Sequence, residues 1–458
     1  MLFHSWIFAA FFAIALTGHL LLRRTAMSTL WLLLCSYVFY GWWNPLLLLL
    51  ILTSTAIDFG VVARMARSDH KRGWLAVSIA TNLGLLGFFK YAGFVTDNLN
   101  LLLAATGYQL PAPDIVLPVG ISFFTFQSMS YTIDVYRGAM KPEPSFIRFA
   151  AFVSLFPQLV AGPIERARNL LPQLTTPSRI TARDFADGAS MFLIGLFKKV
   201  ALADYLSLYV DAVYDAPQQH EAPALILATI AFGWQIFFDF SGYTDMARGI
   251  ARTMGFRLML NFDNPYAATD LGDFWRRWHI SLSTWFRDYV YKPIGGNRFG
   301  SNRTMINIAA TMLLSGLWHG AAWGFVLWGA LHALGRMATL PLERTSFYRE
   351  RLPRFAKQLW VFCFVMFAWV FFRAQTWDMS SLVIGRMVTT GWSDPQMPWL
   401  MLVIVTAAWC WQLTCAADGP VRRALYNPVT RVLFALFMIL WLLLVATPAT
   451  KPFLYFQF

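Results

Sequence analysis

Apolar stretches long enough to cross a bilayer as helices, which takes roughly 20 residues, recur along the whole of this 458-residue chain. Leu2–Leu22 is an example, and Leu225–Phe240 and Val432–Val445 are the apolar centres of others. The pattern predicts an all-α, polytopic integral membrane protein with about ten to twelve spans. Residues 1–110 read as ordinary apolar spans, whereas 114–335 mix Gly, Pro, Trp and charged residues into apolar sequence. Such mixing is tolerated at membrane depth only where the backbone is buried in protein or lines a wet cavity. There is no internal repeat, linker or long polar stretch, so a single membrane-embedded domain over 1–458 is expected.

The middle region predicts broken elements. In LPVGISFFTFQSMSYTIDVYRG (117–138) and FVSLFPQLVAGPIER (152–166), where Pro157 and Pro163 interrupt an apolar run, re-entrant or kinked helices are expected. The segment FFDFSGYTDMARG (237–249) sets Asp239 and Asp245 beside an otherwise complete span. A carboxylate there faces the bundle interior or water, not lipid. Within NPYAATDLGDFWRRWHISLSTWFRDYVYKPIGGNR (264–298), a helix over 275–287 puts Trp275, Trp278, His279, Leu282, Trp285 and Phe286 on one face and Arg276, Arg277 and Arg287 on the other.

Composition agrees with a membrane chain: 57% of residues are hydrophobic and 13% charged, against roughly 45–50% and about 25% in soluble domains. No basic residue precedes the first apolar segment, and Arg23 and Arg24 follow it, which is the reverse of a cleaved signal. By the positive-inside rule those arginines are cytoplasmic, as are Arg64, Arg67, Lys71 and Arg72 two crossings later, and the N-terminus faces outward. The same rule puts the C-terminal tail outside, since Arg422, Arg423 and Arg431 precede the last span and only Lys451 follows it. A net charge of +13 implies a basic inner face suited to anionic lipid, a phosphorylated cofactor or an acidic protein. Cys35, Cys363, Cys410 and Cys415 lie in apolar surroundings without CxxC or zinc-type spacing, so they read as core residues and no metal is expected.

Two constellations carry candidate chemistry. One is the basic stretch from Arg276 to Arg303, with six Lys/Arg, one acid (Asp288), and His279 among aromatics. The other is NIAATMLLSGLWHGAAWGFVLWGALHALGRM (307–337), where His319 sits in an apolar run with glycines at 316, 320 and 324 that permit close approach of backbone or ligand. An imidazole titrates near neutrality and can take a proton from a hydroxyl as its oxygen attacks an acyl carbon. Against this stands a purely packed role for either histidine, and for His332 thirteen residues beyond His319. HExxH, GxSxG and GxxxxGK[ST] are absent, and the IGGNR glycines (294–298) are a weak phosphate signal.

The phrases DFSGYTDMARGIARTMGF (239–256), NFDNPYAATDLGDFWRRWHISLSTWFRDYVYKPIGGNR (261–298) and SGLWHGAAWGFVLWGALHALG (315–335) resemble the membrane-bound O-acyltransferase family. The branch they resemble is its bacterial, AlgI-like alginate O-acetylation branch, which PVGISFFTFQSMSYTIDVYRG (118–138), LFPQLVAGPIER (155–166) and the terminal FLYFQF also match. The resemblance implies that His319 is the signature catalytic histidine, that His279 is the second polar position of the site, and that a catalytic tunnel is ringed by helices. It further implies transfer of acetyl from cytoplasmic acetyl-CoA across the bacterial inner membrane, with a periplasmic esterase-like partner completing O-acetylation of an exopolysaccharide such as alginate or cellulose. D-alanyl, lipid or protein acylation are related alternatives. A proton-coupled transporter, with His and Asp residues as a relay, is a rival from another class that lacks the expected repeat symmetry. Arg276, Arg277 and Lys292 are candidates to meet the donor's phosphates, with contact to anionic lipid as the alternative. The aromatic tail 453–458 carries Tyr455: by resemblance its hydroxyl holds the acyl group in transit, and otherwise the tail anchors in the headgroup belt.

Overall fold

A computed structural model describes residues 1–160, 162–176, 179–394, 397–416, 427–444 and 453–454. Tyr455 lies outside the described residues. Those that are described form helices joined by turns and loops, with no strand among them, as the continuous apolar runs predict. They divide into two compact units, Met1–Phe192 with Tyr243–Met259, and Leu193–Gly242 with Leu260–Phe458.

The first unit opens with α1 (Trp6–Leu22), α2 (Ser28–Gly41), α3 (Leu47–Met65) and α4 (Lys71–Leu86), the last running through a wide π-turn at Gly87–Tyr91 into α5 (Ala92–Leu103). Next come α6 (Ile121–Tyr136), α7 (Phe146–Ser154), α8 (Phe156–Leu159), α9 (Ala167–Thr175) and α10 (Ala182–Leu196), which ends in the second unit. The expected break near Pro157 is present. Leu155 leaves the helical region (ψ 114°), and Pro157 sits in the first turn of α8, where its missing N–H costs nothing. The Phe152 carbonyl freed near the end of α7 accepts hydrogen bonds from Gln127 Nε2 (2.5 Å) and Gln158 Nε2 (2.8 Å), so the interruption leaves no stranded acceptor there.

The second unit contains α11 (Asp204–Asp215), the Ala222–Gly242 part of α12 (Ala222–Thr253), and the two short helices α13 (Leu271–Arg277) and α14 (Ile280–Phe286). They are followed by α15 (Gly300–His319), α16 (Trp323–Leu342), α17 (Arg354–Ala374), α18 (Trp377–Thr389), α19 (Trp399–Cys415) and α20 (Pro428–Leu444). Its core is aromatic, built on Trp234, Tyr266, Trp278, Trp328, Trp369 and Phe372. Two polar handles of that core are paired: Tyr266 donates to the Gly233 carbonyl (2.6 Å) and Trp369 Nε1 donates to Tyr266 (3.3 Å).

α15 and α16 pack along one another, and glycine sets their separation. A Cβ on Gly316 would lie 2.2 Å from the Phe325 carbonyl oxygen, and one on Gly329 2.5 Å from that of Met312. Neither approach is possible for a larger residue without moving backbone. This crossing fixes the C-terminal turn of α15, which ends on His319.

Among the described residues, five helical runs are long and apolar enough to cross a membrane: α3, the run from Lys71 to Thr106, α12, α16 and α17. α1, α2, α19 and α20 are shorter apolar helices.

Candidate active site

His319 is the last residue of α15, and His279 occupies the break between α13 and α14. Distant in sequence, the two imidazoles lie with ring centroids 6.5 Å apart, at 2% and 0% exposure. Trp318 packs against both, at 5.8 Å from His279 and 5.1 Å from His319. Trp328 and Phe372 meet His319 edge-on at 5.1 and 5.3 Å. On the other side, Phe240 of α12 stands edge-on to His279 at 4.5 Å, and Phe453 packs on Phe240 at 5.4 Å. The start of the terminal aromatic segment therefore reaches the ring cluster around the histidines, with Phe453 fully buried.

The helix expected over 275–287 is not continuous. α13 stops at Arg277, Trp278 is extended (φ −96°, ψ 128°), and His279 is left-handed (φ 42°, ψ 56°) before α14 begins. A non-glycine residue there costs about 1–2 kcal/mol. Asn261 explains the break, because its own backbone and side chain supply what a preceding helical turn would. Its carbonyl accepts the Ile280 N–H (2.9 Å), and its side-chain oxygen accepts the Ser281 N–H (3.1 Å) and hydroxyl (2.9 Å). The orphan donors of α14 are thus met from outside. The separation of faces holds in part: Trp278, His279, Leu282, Trp285 and Phe286 are buried and the Arg276 and Arg287 side chains are 66% and 55% exposed, but Trp275 is only partly buried and the Arg277 side chain is 25% exposed.

Burial among aromatics pushes the His279 imidazole down to about 3, because water no longer solvates the cation. The group is held neutral. His332 is buried in the same aromatic core, against Phe274, Trp275 and Trp328. It shares Trp328 with His319 and packs as a structural residue would.

The basic candidates stay at the surface, each beside a carboxylate. Arg276 lies 3.7 Å from Asp270 and 3.5 Å from Asp273, and Arg277 lies 3.0 Å from Asp273. Lys292 (2.7 Å) and Arg287 (3.1 Å) share Asp288. Partial burial works against ionisation of Asp288, but those two cations outweigh it and hold its carboxyl below the usual range. A cleft of about 420 Å³ next to Asp270 is lined by Glu343, Arg344, Tyr348, Arg349 and Lys357 among others. The sequence reading passed over these cations, although the charge run ERTSFYRERLPR (343–354) was a visible signal. It also passed over Asn261.

The model of the membrane-bound O-acyltransferase family matches residues 139–380, a range that includes both histidines. The chain is 36% identical to the probable alginate O-acetylase AlgI of Pseudomonas putida over the full length of both. It is 34% identical to the peptidoglycan O-acetyltransferase of Helicobacter pylori, with 85% of this chain and 80% of that one covered. It is 30% identical to the teichoic acid D-alanyltransferase of Bacillus subtilis over 49% of this chain and 59% of that one.

Proposed function

Because this chain belongs to the membrane-bound O-acyltransferase family, we propose that it takes acetyl from cytoplasmic acetyl-CoA and passes it across the inner membrane for O-acetylation of a secreted exopolysaccharide, a periplasmic partner completing the transfer. The protein is a multi-pass membrane O-acyltransferase. Acetyl is favoured over D-alanyl because the relatives named for acetyl transfer match 100% and 85% of the chain, and the D-alanyltransferase 49%.

The observation that carries the reading is the pair of imidazoles 6.5 Å apart in an aromatic cluster whose Phe240 packs against Phe453. In the proposed route His319 takes the proton of the Tyr455 hydroxyl as that oxygen attacks the thioester carbon. A C–O bond forms, the C–S bond breaks, and CoA leaves as the thiol after recovering the proton from the imidazolium. A phenol with a pKa near 10 needs such a base. The tyrosyl ester then gives its acetyl to a nucleophile of the partner, which restores the phenol. Tyr455 follows Leu454 directly in sequence, so the burial of Phe453 supports a relay over a headgroup anchor. Arg276, Arg277 and Lys292, together with Arg344, Arg349 and Lys357 of the cleft, supply cations for the donor's phosphates, which must compete with Asp270, Asp273 and Asp288 for them.

His319→Ala is expected to remove roughly 10²–10⁴ of the transfer rate while insertion and expression stay normal. His279→Ala also loses activity, and the double variant is expected to be no worse than the poorer single one, since both residues serve one step. Glycan acetylation at the wild-type rate by the His319→Ala protein contradicts the assignment.

A further inference from the structure

Where α10 ends, a wide π-turn at Phe197–Ala203 carries Lys199 inward to 2% exposure. Such insertions redirect a side chain out of helical register and recur at functional sites. Lys199 Nζ lies 2.8 Å from Asp204 Oδ1 and 2.7 Å from Asp239 Oδ1, with all three side chains at 2–3% exposure. One ammonium thus lies between two buried carboxylates, and a buried carboxylate requires further hydrogen-bond donors.

Asp239 Oδ2 finds its donor in the backbone N–H of Leu454, 2.7 Å away and 215 residues distant in sequence. That length is typical of a charge-assisted hydrogen bond. On either side of this contact the chain runs toward the histidines: Phe240, next to Asp239 in α12, touches both His279 and Phe453, and Phe453 precedes Leu454. Asp239 reads a backbone N–H, so it fixes the register of the terminal segment independently of the side chain at 454. A slip by one residue would set a different N–H on Asp239.

We propose that Lys199, Asp204 and Asp239 form a docking clamp for the C-terminal segment. Lys199 aims Asp239, and Asp239 holds Leu454, the residue that precedes Tyr455 in sequence. Asp239 is a positioning residue, and its role in transfer rests on the relay reading given above.

The test uses the full-length protein in detergent and two variants. Asp239→Asn keeps the volume and one acceptor but removes the charge. Replacement of the Leu454 amide by an ester removes the N–H and leaves every side chain in place, so it decides the question even if Asp239→Asn fails to fold. In both, a carboxypeptidase is expected to trim the C-terminus about tenfold faster than in the wild type, and kcat for glycan acetylation to fall about tenfold with the KM for acetyl-CoA unchanged. Trimming of the ester variant at the wild-type rate overturns the clamp, and faster trimming with wild-type kcat overturns its positioning role. Tyr455→Phe that keeps wild-type resistance to trimming yet still acetylates glycan would sink the relay and leave the clamp standing.

Discussion

Asp58 and Asp239 are both carboxylates in apolar, span-length helices, and both are almost completely buried. Their partners differ in kind. Asp58 on α3 accepts from Ser78 (2.6 Å), from Asn82 with both oxygens (3.0 and 2.8 Å) and from Ser128, neutral side chains of α4 and α6 in its own unit. Asp239 on α12 binds an ammonium with one oxygen and the end of the chain with the other. The first arrangement ties three helices together through neutral side chains. The second holds a segment whose Phe453 packs on Phe240, the ring that stands against His279. A buried intramembrane carboxylate is thus not in itself a mark of catalysis; what its partners connect to decides its role.

The sharpest way to break this contrast is on the functional side. Tyr455→Phe keeps the ring and removes only the hydroxyl, so it is expected to insert normally, bind acetyl-CoA as the wild type does, and lose at least about 10²-fold in glycan acetylation. Retained acetylation in membranes would reduce the tail to an anchor. On the structural side, Asp58→Ala leaves the Ser78, Asn82 and Ser128 donors without their acceptor, at about 1–3 kcal/mol for a stranded buried group. Its thermal unfolding in detergent is expected to shift down, with kcat per folded molecule within about twofold of wild type. A collapse of kcat in a fully folded Asp58→Ala protein would erase the distinction between the two carboxylates. The smallest effects are expected at the basic surface. Arg276→Gln and Lys292→Gln remove exposed, carboxylate-shared charges worth about 0.2–1 kcal/mol each, so donor Kd in detergent should rise about two- to fivefold. Unchanged Kd in both would assign those cations to anionic lipid.

Much of this was legible in the chain. Apolar runs of bilayer length marked the helices, Pro157 marked a real interruption, and Gly316 sits at a backbone approach that admits no Cβ. The glycine-flanked His319 and the aromatic face containing His279 pointed to residues that do converge. The left-handed break at His279 was not legible, because nothing in 275–287 opposes a helix; the cause is Asn261, which competes for the first donors of α14 from a distant position. Nor was Lys199 legible. Beside Lys198 it resembles an ordinary basic pair closing a span, and only the π-turn sends it inward. The hold on Leu454 leaves no trace in sequence at all, since a backbone N–H is the same at every residue except proline.

The central claim is that acetyl passes through the terminal tyrosine of this chain under the histidine pair. Purified protein incubated with radiolabelled acetyl-CoA, without glycan or partner, then digested and mapped by peptide, tests it directly. The expected result is acetyl label on the C-terminal peptide containing Tyr455 in the wild type, and none there in Tyr455→Phe or His319→Ala. Label confined to another peptide, or C-terminal label that persists in Tyr455→Phe, would contradict the account.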